Sequence, residues 1–357
     1  MSVQPIVISL GNPLLDIQVG PEEGPAYLEK YGLKANDAIL AEEKQMPIYD
    51  DIVKNCDVTY VAGGAAQNAA RAAAYILPPN HVAYIGSVGD DDLMRTLSSA
   101  NAAESVISAY QVQPSPARTG ACAVILSNHD RSLCTTLRAA EMFTPSHLAT
   151  PEISELLSNA KFFYIEGYFL THGIESALEV AKMASSRGKT VVLNLSAPFI
   201  AQFFKVQLDE LLPHVDILIG NESEAGAYAE AAGMGSQSLE ATALTLAAIS
   251  KSNPSRSRLV IITQGAQATL VASSSPSTSP SNLKPTDPNP KTYPVPPLAS
   301  EKIIDTNGAG DMFAGGFLGA LALGKDLDEC IEVGHKLGQM CCGQIGPKLV
   351  FPKETVV

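Results

Sequence analysis

The stretch at residues 302–321 reads KIIDTNGAGDMFAGGFLGAL and predicts a short strand, a glycine-containing turn and a helix. Gly308 and Gly310 allow the backbone to turn tightly. The amides of Gly308, Ala309 and Gly310 can then point outward where the helix begins and its dipole is positive. We expect this nest of amides to bind an anion.

Asp311 stands at the mouth of the same nest. A carboxylate there would repel a bound phosphate unless it collects a proton or has a metal ion nearby. This juxtaposition favours phosphoryl transfer with Asp311 as the base. The helix N-terminus is expected to lower the pKa of Asp311, and a weak base suffices because a loose transition state needs the proton removed only late. A glycine turn followed by a helix-capping aspartate is the structural alternative.

Two common nucleotide-binding loops do not match this turn. The third glycine of the dinucleotide fingerprint is missing, and no Gly-Lys-Ser/Thr follows as in a Walker loop. An NAD-binding protein is therefore disfavoured, and a nucleotide would have to bind in another way.

The composition indicates a globular α/β enzyme of one large domain or two smaller ones. The 357 residues are 46% hydrophobic and 17% charged, and their formal net charge is −13. This charge argues against nucleic acid or an anionic membrane as the main partner. The six cysteines have neither metal-ligand spacing nor the density of a disulfide scaffold, which is typical of reduced thiols. With no basic N-terminal region and no run of about 18 apolar residues, we expect a cytoplasmic protein that could also enter the nucleus.

Strands and helices alternate along most of the chain. Small or polar clusters follow the predicted strands, and ligands of open α/β sheets bind at the carboxyl ends of such strands, although each cluster singly could cap a helix. Helices are predicted at 65–77, 174–186 and 238–251, and later strands at 161–165, 190–193, 215–219 and 259–263.

Two segments interrupt this alternation. Residues 16–64 and 106–138 are rich in short strands and predict a small β-rich lid inserted into a large α/β domain formed by 1–15, 65–105 and 139–357. Residues 272–300 are rich in Ser and Pro and predict an exposed surface loop, with a regulatory phosphorylation site as an alternative.

Residues 305–311, Asp-Thr-Asn-Gly-Ala-Gly-Asp, closely resemble the Asp-Thr-x-Gly-Ala-Gly-Asp signature of the ribokinase-like (PfkB) sugar and nucleoside kinases. The stretches at 11–17, 36–42, 63–64, 194–199 and 220–222 are similar to the adenosine kinases of that family. The resemblance implies a three-layer α/β/α core with a central, mostly parallel sheet and a small inserted β-rich lid. It also implies ATP- and Mg²⁺-dependent phosphorylation of the 5′-hydroxyl of adenosine, giving AMP and ADP in purine salvage, by a monomer.

The same resemblance implies a role for each matching residue. Asp311 would be the base, the amides of Gly308, Ala309 and Gly310 would neutralise the phosphoryl group, and Arg131 would reach from the lid to the phosphates. Asp16 would bind the ribose hydroxyls. Apolar side chains would surround adenine, and Tyr168 could take over part of this role from Phe169. The whole nucleoside set is Asn12, Asp16, Leu40, Gly63, Gly64, Asn68, Cys122, Leu133, Phe169 and Asn307.

The ATP side and the metal are assigned by the same resemblance. Glu224 would organise Mg²⁺ through water, which agrees with the preference of Mg²⁺ for keeping several waters. The residues expected on the ATP side are Asn194, Asn221, Thr263, Gly265 and His335.

Purely structural roles remain open for several of these residues. Asp16 could be a turn or edge aspartate, Gly63 and Gly64 an ordinary helix entry, Arg131 part of a surface salt bridge, and His335 a buried structural histidine. At the level of function, the alternatives are a kinase of the same fold for another nucleoside or a sugar, and a non-catalytic nucleoside-binding regulator.

Overall fold

A computed structural model describes residues 4–35, 38–127, 130–235, 237–274 and 290–357. Within these ranges the strands are β1 Val7–Leu10, β2 Leu14–Val19, β3 Ala38–Leu40, β4 Thr59–Gly63, β5 Val82–Gly89, β6 Val106–Gln113, β7 Gly120–Ser127, β8 Asp130–Thr136, β9 Phe162–Glu166, β10 Thr190–Asn194, β11 Ile217–Asn221, β12 Leu259–Gln264, β13 Gln267–Ser273 and β14 Lys291–Tyr293.

The α-helices of the same ranges are α1 Gly24–Tyr31, α2 Ile48–Asn55, α3 Ala65–Ile76, α4 Asp92–Ala103, α5 Pro145–Leu148, α6 Pro151–Asn159, α7 Ile174–Ser186, α8 Pro198–Phe203, α9 Lys205–Leu211, α10 Glu222–Ala231, α11 Leu239–Ala248, α12 Ala309–Ala322 and α13 Leu327–Cys342. Short 3-10 helices occupy Arg138–Met142, Gly167–Thr171, Leu212–His214 and Ser300–Lys302. None of the helices in the described ranges combines the length and apolar character needed to cross a bilayer.

The larger sheet has nine strands in the order β14-β13-β12-β11-β10-β9-β1-β5-β6. The strands from β12 to β6 are parallel, and β13 and β14 add an antiparallel edge. Alternate residues of a strand enter opposite cores: Phe163 and Ile165 of β9 pack in one, and Tyr164 in the other. Helices cover both faces, so the expected three-layer α/β/α core with a mostly parallel sheet is confirmed.

A second sheet of five strands, in the order β3-β8-β7-β2-β4, lies beside the first. Helix α2 buries Ile48, Tyr49 and Ile52 in a separate small core with this sheet. One expectation needs correction: β6, grouped with the lid segment 106–138, pairs in parallel with β5 at the edge of the nine-stranded sheet. The strand pattern of β6 does not reveal its partner, which is set by the crossover through α4.

Helices α3 and α12 pack closely against one another, and this contact positions their N-terminal ends at the site. A side chain at Gly315 of α12 would clash with the carbonyl of Ala69, and one at Gly319 would lie 2.8 Å from Ile76 Cβ. Alanines and glycines at the contact therefore let the two backbones approach. As a result, the first turn of α3 stands next to the first turn of α12.

The predicted strand before the glycine turn is absent. Residues 303–308 are irregular, and Ile303 and Ile304 are half exposed. The amides of Ile304 and Asp305 donate to the carbonyl of Cys342 at the end of α13, so a helix terminus rather than a sheet receives this segment. Of the predicted Ser/Pro loop at 272–300, residues 275–289 lie outside the described residues, as do Asn36 and Asp37 of one matching stretch.

Candidate active site

A cavity of about 590 Å³ lies between the two sheets, at the carboxyl ends of the central parallel strands. It brings together most of the predicted site residues, from both ends of the sequence. Those that line it are Asn12, Asp16, Leu40, Gly64, Asn68, Cys122, Leu133, Asn194, Asn221, Glu224, Thr263, Asn307, Gly308, Gly310 and Asp311.

Asp311 lies in the first turn of α12, and its carboxylate accepts a hydrogen bond of 2.9 Å from Asn68 Nδ2. Burial raises the pKa of Asp311 to about 7, against the opposing effects of the Asn68 bond and the Arg71 charge. The expected lowering of this pKa is therefore wrong, because loss of hydration outweighs the groups that favour the charged carboxylate. Asp311 is a stronger base than its position on the helix alone indicates.

Gly308 begins the helix in the left-handed region, at φ 77°, and Pro347 packs directly against it. The Ala309 amide turns back to the Thr306 carbonyl at 3.3 Å. Within the described residues, the amides of Gly308, Gly310 and Asp311 donate to no protein acceptor. The nest thus differs in detail from the expected one: the amide of Asp311 replaces that of Ala309. A side chain at Gly310 would meet no atom within 4 Å, so this glycine leaves open space at the cavity wall.

Asp16 lies on β2, where its side chain is 7% exposed and faces the cavity. Gly63 lies on the neighbouring strand β4, where it pairs with Leu14. It does not line the cavity but makes room for the Asp16 side chain, since a Cβ at Gly63 would lie 2.5 Å from Asp16 Oδ1. Burial raises the pKa of Asp16 to about 7, although the guanidinium groups of Arg131 and Arg71 oppose this rise. A buried carboxylate of this kind is well placed to accept hydrogen bonds from hydroxyl groups.

Arg131 extends from β8 to form an ion pair with Asp305, just before the nest. Asp305 also accepts hydrogen bonds from the amides of Asn307 (2.9 Å) and Gly346 (2.8 Å). The Nε and Nη2 atoms of Arg131 are buried and have no acceptor in the described residues. This is not a solvated surface pair, because the two side chains are only 10% and 15% exposed. The two unpaired guanidinium donors could still serve an anion.

Asn12 follows β1, and its Oδ1 accepts from His172 Nε2 at 2.9 Å. Its Nδ2 is buried without an acceptor in the described residues, and it lines the cavity as a donor. Burial lowers the pKa of His172 to about 4, so the ring is neutral at physiological pH and donates from Nε2.

Glu224 and Asn221 form a reciprocal cap at the start of α10. Glu224 Oε1 accepts from Asn221 Nδ2 at 2.8 Å, its Oε2 accepts from the Asn221 amide at 3.0 Å, and Asn221 Oδ1 accepts from the Glu224 amide at 2.9 Å. Burial raises the pKa of Glu224 to about 7. No group of three or more His, Cys, Asp or Glu side chains in the described ranges is arranged to hold a metal directly.

Six predicted site residues are not among those that line the cavity: Gly63, Ala309 and Arg131, described above, and Phe169, Gly265 and His335. Phe169 is buried between Phe143 and His172, because the 3-10 helix Gly167–Thr171 turns it inward. Tyr168 lines the cavity instead. Gly265 lies in the turn after β12, at φ 58°. His335 lies on α13, and its Nε2 is hydrogen-bonded to Thr269 Oγ1 at 2.8 Å. His335 is buried, which agrees with the alternative that it is a structural histidine.

Two charged residues at the site were not predicted from the sequence. Glu166, at the end of β9, accepts from the amides of Asn12 and Ala66 at 2.6 Å each, and burial raises its pKa to about 8. Arg71 is buried on α3 and donates to Asn68 Oδ1 at 2.8 Å. Glu166 directly follows the predicted strand 161–165, where a polar cluster is expected, whereas Arg71 gives no local signal in an alanine-rich helix.

Comparison with known proteins places this arrangement in a family. Residues 25–354 match the model of the pfkB family carbohydrate kinases. The chain is 53% identical over 349 residues to the adenosine kinase of Schizophyllum commune, covering 98% of each sequence. It is similar to the crystal structure of Anopheles gambiae adenosine kinase in complex with P1,P4-di(adenosine-5) tetraphosphate, with 40% identity, a TM-score of 0.87 and coverage of 96% and 97%. It is also similar to Schistosoma mansoni adenosine kinase in complex with adenosine and AMP, with 33% identity, a TM-score of 0.87 and coverage of 98% of each chain.

Proposed function

Because the chain belongs to the adenosine kinases of the pfkB carbohydrate kinase family, we propose that it transfers the γ-phosphoryl group of ATP to the 5′-hydroxyl of adenosine. The products are AMP and ADP. The observation that carries this proposal is that Asp16, Asp311 and the glycine nest line one cavity. A single nucleoside can therefore place its ribose on one carboxylate and its 5′-hydroxyl near the other.

The nucleoside occupies the part of the cavity next to the five-stranded sheet. Asp16 accepts hydrogen bonds from the ribose hydroxyls, and the free Nδ2 of Asn12 donates to the ligand. Adenine lies among apolar and aromatic side chains that line the same cavity, namely Leu40, Cys122, Leu133 and Tyr168. The Schistosoma mansoni relative, which binds adenosine, supports this choice of acceptor.

Asp311 removes the proton of the 5′-hydroxyl as the phosphoryl group transfers. Its pKa of about 7 is near the operating pH, where a general base acts best. The Asn68 bond fixes one carboxylate oxygen and leaves the other free to accept the hydroxyl proton. The proton passes from the hydroxyl oxygen to Asp311 while the new P–O bond forms and the bond to ADP breaks.

Negative charge on the transferring group is stabilised from two sides. The amides at the start of α12 point toward it with the positive end of the helix dipole. The unpaired donors of Arg131 approach from the five-stranded sheet. The amides are held in place by the fold and need little reorganisation when the charge develops, whereas Arg131 lies on β8 and reaches the phosphates from the lid.

The donor set fits an Mg²⁺ ion held indirectly. Both oxygens of Glu224 are engaged in the α10 cap but keep lone pairs, and they can accept from the waters of a hydrated ion more readily than they can bind it directly. Mg²⁺, when bound with ATP, neutralises charge on the phosphates. Asn194, Asn221 and Thr263 line the cavity on this side and bind the triphosphate.

Closure of the five-stranded sheet over the cavity excludes water and limits ATP hydrolysis. In this proposal residues 16–64 and the strands β7 and β8 form the moving lid. We also propose that the protein acts as a cytoplasmic monomer.

The decisive assay measures ADP formation from Mg·ATP with adenosine, and with inosine, guanosine and ribose in parallel. Adenosine-dependent ADP with AMP as the co-product is expected. Faster turnover of another acceptor would show that this acceptor is the substrate, and the proposed phosphoryl-transfer chemistry would still hold. Adenosine binding without turnover of any acceptor would instead favour a non-catalytic regulator.

A further inference from the structure

Arg71 is a buried cation that none of the assigned site roles uses. It lies on α3, is 3% exposed, and its Nη1 pairs with Glu104 at 3.3 Å. Its Nη2 is within hydrogen-bonding distance of three oxygens, which are Asn68 Oδ1 at 2.8 Å, the Pro347 carbonyl at 2.9 Å and the Ala62 carbonyl at 3.1 Å. These acceptors come from α3, the C-terminal segment and β4.

Arg71 determines which way the Asn68 amide faces. A guanidinium can only donate, so the oxygen of Asn68 must face Arg71. The nitrogen of the same amide then faces Asp311, to which it donates at 2.9 Å. If the amide turned over, its oxygen would face the Asp311 carboxylate and repel it.

The same guanidinium also bonds to the residue that packs against the start of α12. Pro347, whose carbonyl accepts from Arg71, lies against Gly308, where an added Cβ would be 2.6 Å from Pro347 Cβ. Arg71 therefore reaches the first turn of α12 by two independent routes, one through Asn68 and one through Pro347. No other described residue forms hydrogen bonds with both Asn68 and Pro347.

We propose that Arg71 is a positioning residue of the phosphoryl transfer, which holds Asn68 in the orientation that aims the Asp311 carboxylate and holds Pro347 under the nest. It does not touch the substrates. This inference rests on the proposed function, because it assigns a role relative to the base of that reaction.

A purely structural role is the competing explanation, and the chain provides a matched control for it. Arg258 is fully buried and its guanidinium donates to the carbonyls of Leu246 (3.0 Å), Ile249 (2.6 Å) and Leu212 (2.5 Å), away from the cavity. Loss of Arg258 removes a buried guanidinium with a similar number of bonds. A difference between the two arginines then reports on the site rather than on burial.

Four variants separate charge, geometry and stability: Arg71→Met, Arg71→Lys, Arg258→Met and Arg258→Lys. Adenosine KM, kcat and the denaturation midpoint are measured for each. We expect Arg71→Met to lower kcat about 10- to 100-fold with adenosine KM changed less than about threefold, since misplacement of a base costs up to about 100-fold. Arg71→Lys keeps the charge, but its three N–H donors cannot serve all four oxygens that Arg71 contacts, and its kcat should lie between those of Arg71→Met and the wild type. The Arg258 variants should lose stability and keep kcat in the folded fraction.

A second measurement does not depend on activity. The carboxyl ¹³C resonance of Asp311, assigned by its absence in Asp311→Asn, is followed through a pH titration of the ligand-free protein. The Arg71 charge lowers the pKa of Asp311, so Arg71→Met should move this titration to higher pH, and Arg71→Lys by less. The other titratable groups that interact electrostatically with Asp311 are Asp16, Glu166, Glu224, Tyr164, Tyr168 and Cys341, and all these side chains are retained in the variants. The Arg71 charge also lowers the pKa of Asp16, so the Arg71→Met titration is repeated in an Asp16→Asn background.

Unchanged kcat and an unchanged Asp311 titration in a folded Arg71→Met or Arg71→Lys protein would overturn the proposal. An equal loss of kcat in the Arg258 variants would do the same. If the wild type proves inactive with every acceptor, the proposed function fails, while the Asp311 titration still reports whether the Arg71 charge acts on this carboxylate.

Discussion

Asn68 Nδ2 donates a 2.9 Å hydrogen bond to Asp311 Oδ2, joining residues 243 positions apart in the chain. The close packing of α3 on α12 makes this contact, because glycines and alanines let the two helix starts meet. It connects the proposed nucleoside site to the proposed base.

Replacement of Asn68 by Ala should lower kcat by about 100-fold, since Asp311 loses its orienting donor. Asn101→Ala is the matched control. Asn101 is also buried and bonds to Ser108 and Tyr110 at 3.0 Å, remote from the cavity lining. Steady-state kinetics of both variants checks the prediction, and equal effects on kcat would argue against an orienting role for Asn68.

Activity should fall steeply as the pH drops below about 7. Asp16 and Asp311 both have pKa values raised to about 7 by burial. Protonation of Asp311 removes the proposed base and protonation of Asp16 weakens adenosine binding, so each lowers kcat/KM. At pH 6 each would be about one-tenth ionised. The logarithm of kcat/KM for adenosine should therefore approach a slope of two on the acid side. Asp16→Asn should reduce this slope to one; a slope of one in the wild type would show that only one of these groups titrates in this range.

Asp16→Asn should mainly weaken nucleoside binding. Hydrogen bonds to a charged acceptor contribute about 1.5–3 kcal/mol, so the adenosine affinity should fall about 10- to 100-fold while kcat at saturation changes little. Calorimetry with adenosine measures this directly. Normal affinity in the variant would remove Asp16 from the ribose site.

Two alanine substitutions in the glycine turn should have different effects. Gly308→Ala places a side chain at φ 77° and 2.6 Å from Pro347, so we expect a loss of about 1–3 kcal/mol in the free energy of unfolding and lower activity. Gly310→Ala meets no protein atom within 4 Å, so stability should be kept while the methyl group hinders the phosphoryl group and lowers kcat. Denaturation curves and kinetics of both proteins are the measurements. Identical stability losses would contradict this distinction.

Features encoded locally could be predicted from the sequence. The glycine turn, the alanine-rich helix α3 and the polar clusters after the strands all follow from short patterns, and they account for the positions of Asp311, Asn68 and Asn221. The resemblance in residues 305–311 then indicated the chemistry.

Features that depend on distant packing could not be predicted. The sequence reveals that Asp311 begins a helix but not that burial raises its pKa. Arg71 acts on Pro347, 276 residues away, and no local pattern announces that contact. Phe169 and Tyr168 are adjacent and chemically alike, and only the turn of the 3-10 helix decides which of them faces the cavity.

The central claim is that Asp311 is the base of phosphoryl transfer, and Asp311→Asn tests it most directly. The amide keeps the size of the side chain but cannot take the proton, so adenosine affinity should stay within a few-fold of wild type while single-turnover AMP formation falls by about 10²–10⁴. Adenosine binding by calorimetry and AMP formation by rapid quench are measured on the same preparation. Unchanged AMP formation in the folded variant would contradict the mechanism.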